Sequence, residues 1–326
     1  MKSLRIFLLA TLILVFFGLD NVEASKEPEW SYATDYWVHS VAISADGEYI
    51  AAGSDDYNVY LFDKDSNTPL WNYTTDDDVA SVAISGDGKY IVAGSEDHKI
   101  YLFDKDSNTP LWNYTTDDDV ESVAISADGE YIVAGSSDHK IYLFDKDGFL
   151  WNYATYATVY SVDISADGEY IVAGSSDHKV YLFEKGSSAP LWTYTTYDEV
   201  QSVAVSANGE YIVASSRNVF GIGDGKQYLF DKDSNDPLWS YTTAGGFNPT
   251  DISADGDYII TGDRFFVSLF DKTPSQGGGG GDGEGSAKVT EDDDDGHSND
   301  DDGSLPALSV ITSIAAVAVI ALRRRY

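Results

Sequence analysis

The sequence predicts an all-β fold, a six-bladed β-propeller of four-stranded antiparallel blades, and three observations carry that expectation. A Trp-x-Tyr-x-Thr segment begins at Trp30, Trp71, Trp112, Trp151, Trp192 and Trp239, at spacings of 41, 41, 39, 41 and 47 residues. A period of about 40 residues holding several short strand patterns is the mark of propeller blades. Three-strand sets begin near Ser40, Ser81, Ser122, Ser161, Ser202 and Thr250, one for each Trp-bearing strand. The last set ends at Lys272 with no Trp strand after it, whereas the Trp30 strand precedes every set. Glu29 to Thr34 is therefore expected to become the outer strand of the sixth blade, closing the ring and covering an edge that would otherwise recruit another chain.

Within one copy the strands follow from local pattern. Ser81-Val-Ala-Ile-Ser85 alternates large and small residues, as a strand packed on both faces does. Asp87-Gly88 then supplies a tight hairpin. Tyr90-Ile-Val-Ala-Gly94 and Ile100-Tyr-Leu-Phe103 form the second and third strands, and Pro110-Leu-Trp-Asn-Tyr-Thr115 the fourth.

Two resemblances follow from these residues. Val180-Tyr-Leu-Phe-Glu-Lys with Pro190-Leu-Trp-Thr-Tyr-Thr195 resembles the repeats of pyrroloquinoline-quinone-type propellers. That resemblance implies that Trp30, Trp71, Trp112, Trp151, Trp192 and Trp239 dock each blade on the next. Ser122-Val-Ala-Ile-Ser-Ala-Asp-Gly129 with Ser136-Ser-Asp138 is similar to WD repeats, although Phe62, Phe103, Phe144 and Phe183 stand where such repeats have Trp. Quinoprotein dehydrogenases of the first family hold metal and cofactor in a ring of ligands at the propeller mouth. No comparable set stands here, so no cofactor is expected.

The propeller is assigned to residues 25–273. Residues 1–24 join a basic start to an apolar run from Ile6 to Leu19 and small residues near Ala24, the layout of a secretory signal peptide, with an uncleaved anchor as the alternative. Residues 274–304, with five consecutive glycines and runs of acid, are expected to form a disordered tether. Residues 305–322 are apolar enough for a membrane span, and the basic tail 323–326 would stay in the cytoplasm, leaving the propeller outside. The apolar stretch starting near Pro306 and its arginines resemble the C-terminal sorting segments of archaeal surface proteins.

The net charge is −35, from 55 acids and 20 lysines and arginines, and the segment from Thr273 to Ser304 accounts for only −9 of it, with ten acids and one lysine. The repeats themselves are acidic. Such a surface argues against nucleic acid and against electrostatic attraction to anionic lipid. There are no cysteines, which removes disulfides and thiol chemistry.

Candidate chemistry is sparse. Asp63 and Asp65, Asp104 and Asp106, and Asp231 and Asp233 alternate as calcium-loop oxygens do, but the glycine and glutamate that complete such a loop are missing, and Asx-type turn capping explains them. Asn72 and Asn113 lie in glycosylation sequons on outer strands. Asp163 and Asp251 replace the alanines of the other innermost strands, and they are the acids an enzyme acting at the channel mouth would use. A lone acid there is more often held by water or a neighbouring backbone group, and that is the reading favoured for both.

The copies disagree chiefly in the loops entering the first strands. There Tyr36, Trp37, His39, Glu121, Tyr156, Tyr160, Tyr197, Gln201 and Phe247 would share one rim with the turns between second and third strands. Variable loops on a rigid frame suit a binding surface. Aromatic faces beside carboxylates suit cationic groups, sugars or a protein partner. The expectation is a non-catalytic, monomeric, membrane-anchored propeller at the cell surface that binds an extracellular protein or glycan. An enzyme at the channel mouth and a structural surface-layer component are the alternatives.

Overall fold

The computed structural model describes residues 26–217, 225–243, 248–263 and 266–273, and every regular element among them is a β-strand. No helix among these residues is long and apolar enough to cross a membrane. The expected signal peptide, tether, span and basic tail, and Phe247 of the rim, lie outside the described residues. The chain divides at residue 31. The described part of the first unit, 26–31, carries no strand, and all the sheets belong to Tyr32–Tyr326.

The first sheet joins β1 (Val38–Ile43), β2 (Tyr49–Ser54), β3 (Asn58–Asp63) and β4 (Trp71–Thr74). The second has β5 (Val79–Ile84), β6 (Tyr90–Ser95), β7 (Lys99–Asp104) and β8 (Trp112–Thr115), and the third β9 (Val120–Ile125), β10 (Tyr131–Ser136), β11 (Lys140–Asp145) and β12 (Gly148–Ala154). The fourth comprises β13 (Val159–Ile164), β14 (Tyr170–Ser175), β15 (Lys179–Glu184) and β16 (Trp192–Thr195). The fifth comprises β17 (Glu199–Val205), β18 (Tyr211–Arg217), β19 (Gly225–Asp231) and β20 (Trp239–Thr243). The sixth has three strands among the described residues, β21 (Thr250–Ile252), β22 (Tyr258–Gly262) and β23 (Val267–Asp271). Each sheet is an antiparallel meander in chain order. In each first hairpin of the second-sheet type, Ser85 donates to Asp87 at 2.7 Å and accepts from the Tyr90 N–H at 3.0 Å, around a Gly88 at φ 70°. Only glycine adopts that φ freely, which is why Asp-Gly marks the turn.

Consecutive sheets are joined in the same three ways. At the inner end, main-chain bonds run from Ala45 N–H to Gly86, Gly86 to Ala127, Ala127 to Ala166, Ala166 to Ala207 and Ala207 to Ala254, each at 2.9 to 3.0 Å. Along the inner strands a serine hydroxyl of one sheet accepts an N–H of the next, as Ser81 does from Val123 at 3.1 Å. At the outer strands a tryptophan ring lies on a phenylalanine of the following sheet, as Trp112 does on Phe144 at 5.2 Å, and its Nε1–H reaches the Lys146 carbonyl at 2.9 Å. Trp71, Trp151 and Trp192 repeat both contacts. Trp239 stacks on Phe270, but its Nε1 is buried without a partner among the described residues. Trp30 is half-buried in a stretch without strand.

The sixth joint differs from the other five. Val82 of the second sheet is 1% exposed against the first sheet, whereas its counterpart Val41 is 47% exposed. On the sixth sheet Ile260, Val267 and Leu269 face solvent, although Leu102, the counterpart of Leu269, is fully buried. Among the described residues no main-chain bond links Ala254 to Ala45.

The expected outer strand at Glu29 to Thr34 is not formed, and β23 lacks a fourth strand among the described residues. Half of its expected role is present. Tyr32 rests on Tyr60 and Phe62 at 5.4 and 5.2 Å, as Tyr73 rests on Tyr101 and Phe103 at 5.3 and 5.1 Å, and the Asp35 N–H reaches Asp56 at 3.1 Å. Tyr32 docks on the first sheet through its ring, without pairing of the stretch as a strand.

Trp112→Ala removes a ring contact and a hydrogen bond at an intact joint and is expected to cost about 3 kcal/mol. Trp239→Ala, whose Nε1 bonds nothing among the described residues, should cost measurably less. Equilibrium unfolding of the two variants in urea compares them directly, and equal losses would contradict the unequal joints.

Candidate functional site

Each of the first five sheets carries a β-bulge at the start of its innermost strand. The register slips between Val38 and Ser40, Val79 and Ser81, Val159 and Ser161, and Val200 and Ser202, and in the third sheet where Val120 and Ser122 face Ser136 and Gly135. A bulge leaves one residue outside the ladder and re-aims its side chain. Those residues are His39, Ala80, Glu121, Tyr160 and Gln201. Their flanking valine and serine are the same in every copy, yet no two of the five are alike.

A second variable position lies in the same sheet, at or just beyond the end of the second strand, where Asp55, Glu96, Ser137, Ser176 and Arg217 stand. Backbone bonds fix it to the entering loop, from Asp55 N–H to Trp37 O, Glu96 to Asp78, Ser137 to Asp119 and Ser176 to Thr158, at 2.8 to 2.9 Å. Entering loops and second turns therefore share one face, which we call the mouth. Sequence reasoning selected the bulge residues except Ala80 but missed this second position. The signal was available, because the residue after Gly-Ser or Ser-Ser is the one that changes from copy to copy.

The two positions meet in the first and third sheets. His39 Nε2 lies 2.5 Å from Asp55 Oδ1. Ser137 donates to Glu121 at 2.5 Å, and burial raises the Glu121 carboxyl above its ordinary range. Gln201, itself buried, donates to Glu199 at 3.2 Å. Tyr160 is half-buried, and its hydroxyl is held above the usual phenol range by burial and then by the charges of Glu199 and Glu121. Outside this inner ring Tyr36, Trp37, Tyr156 and Tyr197 are 68 to 85% exposed, with Lys179 Nζ 5.1 Å from the centre of the Tyr156 ring.

Acid gathers on the second and third sheets. Ligand atoms of Asp77, Asp78 and Glu96 lie within 4.8 Å of one another, as do those of His98, Asp118 and Asp119. His98 Nε2 is 3.3 Å from Asp119. Burial, followed by the charges of Asp78, Asp119 and Asp77, pushes Glu96 up to about 7. Either group offers lone pairs that can coordinate a divalent cation or accept from a partner's ammonium.

The remaining candidates sit elsewhere. Asp163 is buried, and its two oxygens accept from the N–H groups of Ile164 at 2.9 Å and Val205 at 2.8 Å, so it staples the fourth sheet to the fifth. Burial pushes it up to about 7. Asp251 accepts from Ile252 at 2.8 Å and is pushed up to about 6 for the same reason. Asp63, Asp104 and Asp231 cap their own turns by accepting from the N–H groups of Asp65, Asp106 and Asp233 at 2.9 to 3.0 Å, and each of those second acids contacts the preceding lysine. Lys64 N–H bonds Glu48 O, which puts these turns beside the first hairpins and away from the mouth. Asn72 and Asn113 are exposed on β4 and β8.

Glu96 yields a pH-dependent prediction. Its folded value of about 7 lies above its ordinary 4.5, so the folded state holds the proton more tightly than the unfolded state. The carboxylate therefore costs nothing well below its ordinary value and destabilises progressively as pH rises through the folded one. Glu96→Gln should raise the melting temperature at about pH 8 and leave it nearly unchanged at about pH 4. A scan of melting temperature against pH for both proteins checks it.

Comparison with known proteins agrees with this architecture. A family model described as outer membrane protein assembly factor BamB, built on the PQQ_2 repeat, matches residues 55–273. A model of the WD domain, G-beta repeat, matches residues 27–63. Among curated protein sequences none matches the chain. With repeated four-stranded antiparallel sheets, variable residues gathered at one mouth, and a match running over more than half its length, the chain belongs to the PQQ_2 family of BamB-like β-propeller repeat proteins.

Proposed function

We propose that this chain is a non-catalytic scaffold, exported by residues 1–24 and held at the cell surface through residues 274–326, that binds a protein partner across the mouth. One observation carries the reading. In five sheets with an almost unchanged frame, the residue expelled by the bulge differs every time, and in four of them its side chain is partly exposed. Framework residues repeat because packing constrains them, so diversity confined to the mouth fits recognition of an irregular surface.

The chemistry narrows the partner. Trp37, Tyr156 and Tyr197 offer exposed rings, and Asp77, Asp118, Asp119, Glu121 and Glu199 surround them with negative charge. A protein surface rich in lysine or arginine complements both through cation–π and ionic contact. An assembly factor, as the family description has it, is a protein that acts through partners. The enzyme alternative is weakened by Asp163, whose two oxygens are both taken by backbone N–H groups.

A photo-reactive amino acid placed at Trp37 in the full chain on its source cells should yield a protein adduct, and one at Ser66 on the far face should not. Adducts only from Ser66 would refute binding at the mouth. Adducts removed by glycosidase and resistant to protease would move the partner from protein to glycan.

The six sheets are further proposed to close by bringing the first against the sixth. Val82 packs 3.1 Å from where a Cβ on Gly53 would stand, and Val41 and Gly262 hold the same positions on the first and sixth sheets, with Pro249 Cγ 3.2 Å from where a Cβ on Gly262 would stand. The chain has no cysteine, so Val41→Cys with Gly262→Cys is a clean pair. A disulfide within a monomer is expected under mild oxidation. Disulfide-linked dimers, or no bond at all, would count against a closed six-sheet ring.

A further inference from the structure

Resting on the reading of the mouth as a partner-binding face, we infer that Arg217 is its anion-recognition point and takes a carboxylate presented by a basic segment of the partner. Arg217 ends β18 at the second variable position of the fifth sheet and is the only arginine among the described residues. In an acidic chain a cation normally finds a carboxylate, as Lys99 does on Asp76 at 2.9 Å and Lys140 on Asp117 at 2.7 Å. Arg217 holds none among the described residues, and its Nε is buried without an acceptor.

The missing partner is within reach and otherwise engaged. Glu199 lies directly opposite Arg217 in the ladder between β17 and β18, where opposite charges ordinarily pair. Gln201, the bulge residue of the same strand, donates instead to Glu199 at 3.2 Å. The carboxylate is thus turned toward its own strand, and the guanidinium keeps its donors. A buried donor without an acceptor is a standing cost that an incoming oxygen removes. A guanidinium also presents a planar fork suited to a carboxylate.

The surroundings decide what may carry that carboxylate. Glu121, Glu199, Glu96 and Asp119 ring the mouth and repel an extended polyanion such as an acidic glycan. They attract ammonium and guanidinium groups. A single glutamate or aspartate flanked by lysine or arginine satisfies both signs at once, and one charge of reversed sign fixes the register of a partner that is otherwise only basic.

Titration calorimetry of the full chain in detergent at low salt tests this with three probes. They are acetyl-Lys-Glu-Lys-amide, acetyl-Lys-Gln-Lys-amide and glucuronate. The glutamate peptide is expected to bind about tenfold more tightly than the glutamine peptide. Arg217→Gln should abolish that preference and Arg217→Lys should retain part of it, both with unfolding curves like the parent's. Equal binding of the two peptides to the parent chain overturns the role of Arg217 and leaves a basic partner standing. Binding of neither overturns both readings, and tighter binding of glucuronate overturns the peptide source.

Discussion

The joint in which a valine of one sheet enters a glycine notch of the sheet before it governs the rest of the structure. A Cβ on Gly94 would lie 2.6 Å from Val120 Cγ1, far inside contact distance, and Gly53, Gly135 and Gly174 stand in the same relation to Val79, Val159 and Val200. The notch lets two sheets approach closely enough to bury nearly every residue of their second and third strands. It also sets the bulge. Val120 is drawn into the preceding sheet while Ser122 returns to its own ladder, so the residue between them cannot pair. The contact that fixes the frame thus frees the one side chain that varies, and the mouth is a by-product of docking.

The fold was legible where a feature repeated. The tryptophan period, the Asp-Gly turns and the burial of both sheet faces could all be counted in one dimension, and the sheets follow them. What failed was relational. Tyr32 makes the ring contacts its sequence foretells, but the pairing of Glu29 to Thr34 depends on where β23 lies, and no residue in that stretch encodes the angle between sheets. Asp163 reads from the sequence as an acid held by water or backbone, and its position was known while its partner was not. The Val205 N–H that holds it lies 42 residues away in the next sheet.

The site was half legible for a similar reason. His39, Glu121, Tyr160 and Gln201 were visible as departures from a repeat, since departure is itself a one-dimensional signal. Asp55, Glu96, Ser137 and Arg217 sit beside a turn, where variability is ordinary and passes unnoticed. Net charge was equally blunt. A value of −35 reports an acidic chain but conceals that the second and third sheets concentrate carboxylates at the mouth while the fifth contributes an arginine.

Variation alone does not separate selection from drift, but the pairing of the variable residues bears on it. Drift at solvent-facing positions would leave side chains unrelated to one another. At the mouth the bulge residue and its neighbour match in the first and third sheets: imidazole with carboxylate at His39 and Asp55, carboxylate with hydroxyl at Glu121 and Ser137. Such pairs hold side chains in place before anything binds, which lowers the ordering cost of association. Among the described residues two charged groups stand outside this matching. Glu96 shares its sheet's mouth with Ala80, which offers no side-chain hydrogen bond, and Arg217 lies opposite a glutamate that Gln201 engages. They are of opposite sign, on sheets two and five. Each can be completed from outside, and that is enough to orient what comes.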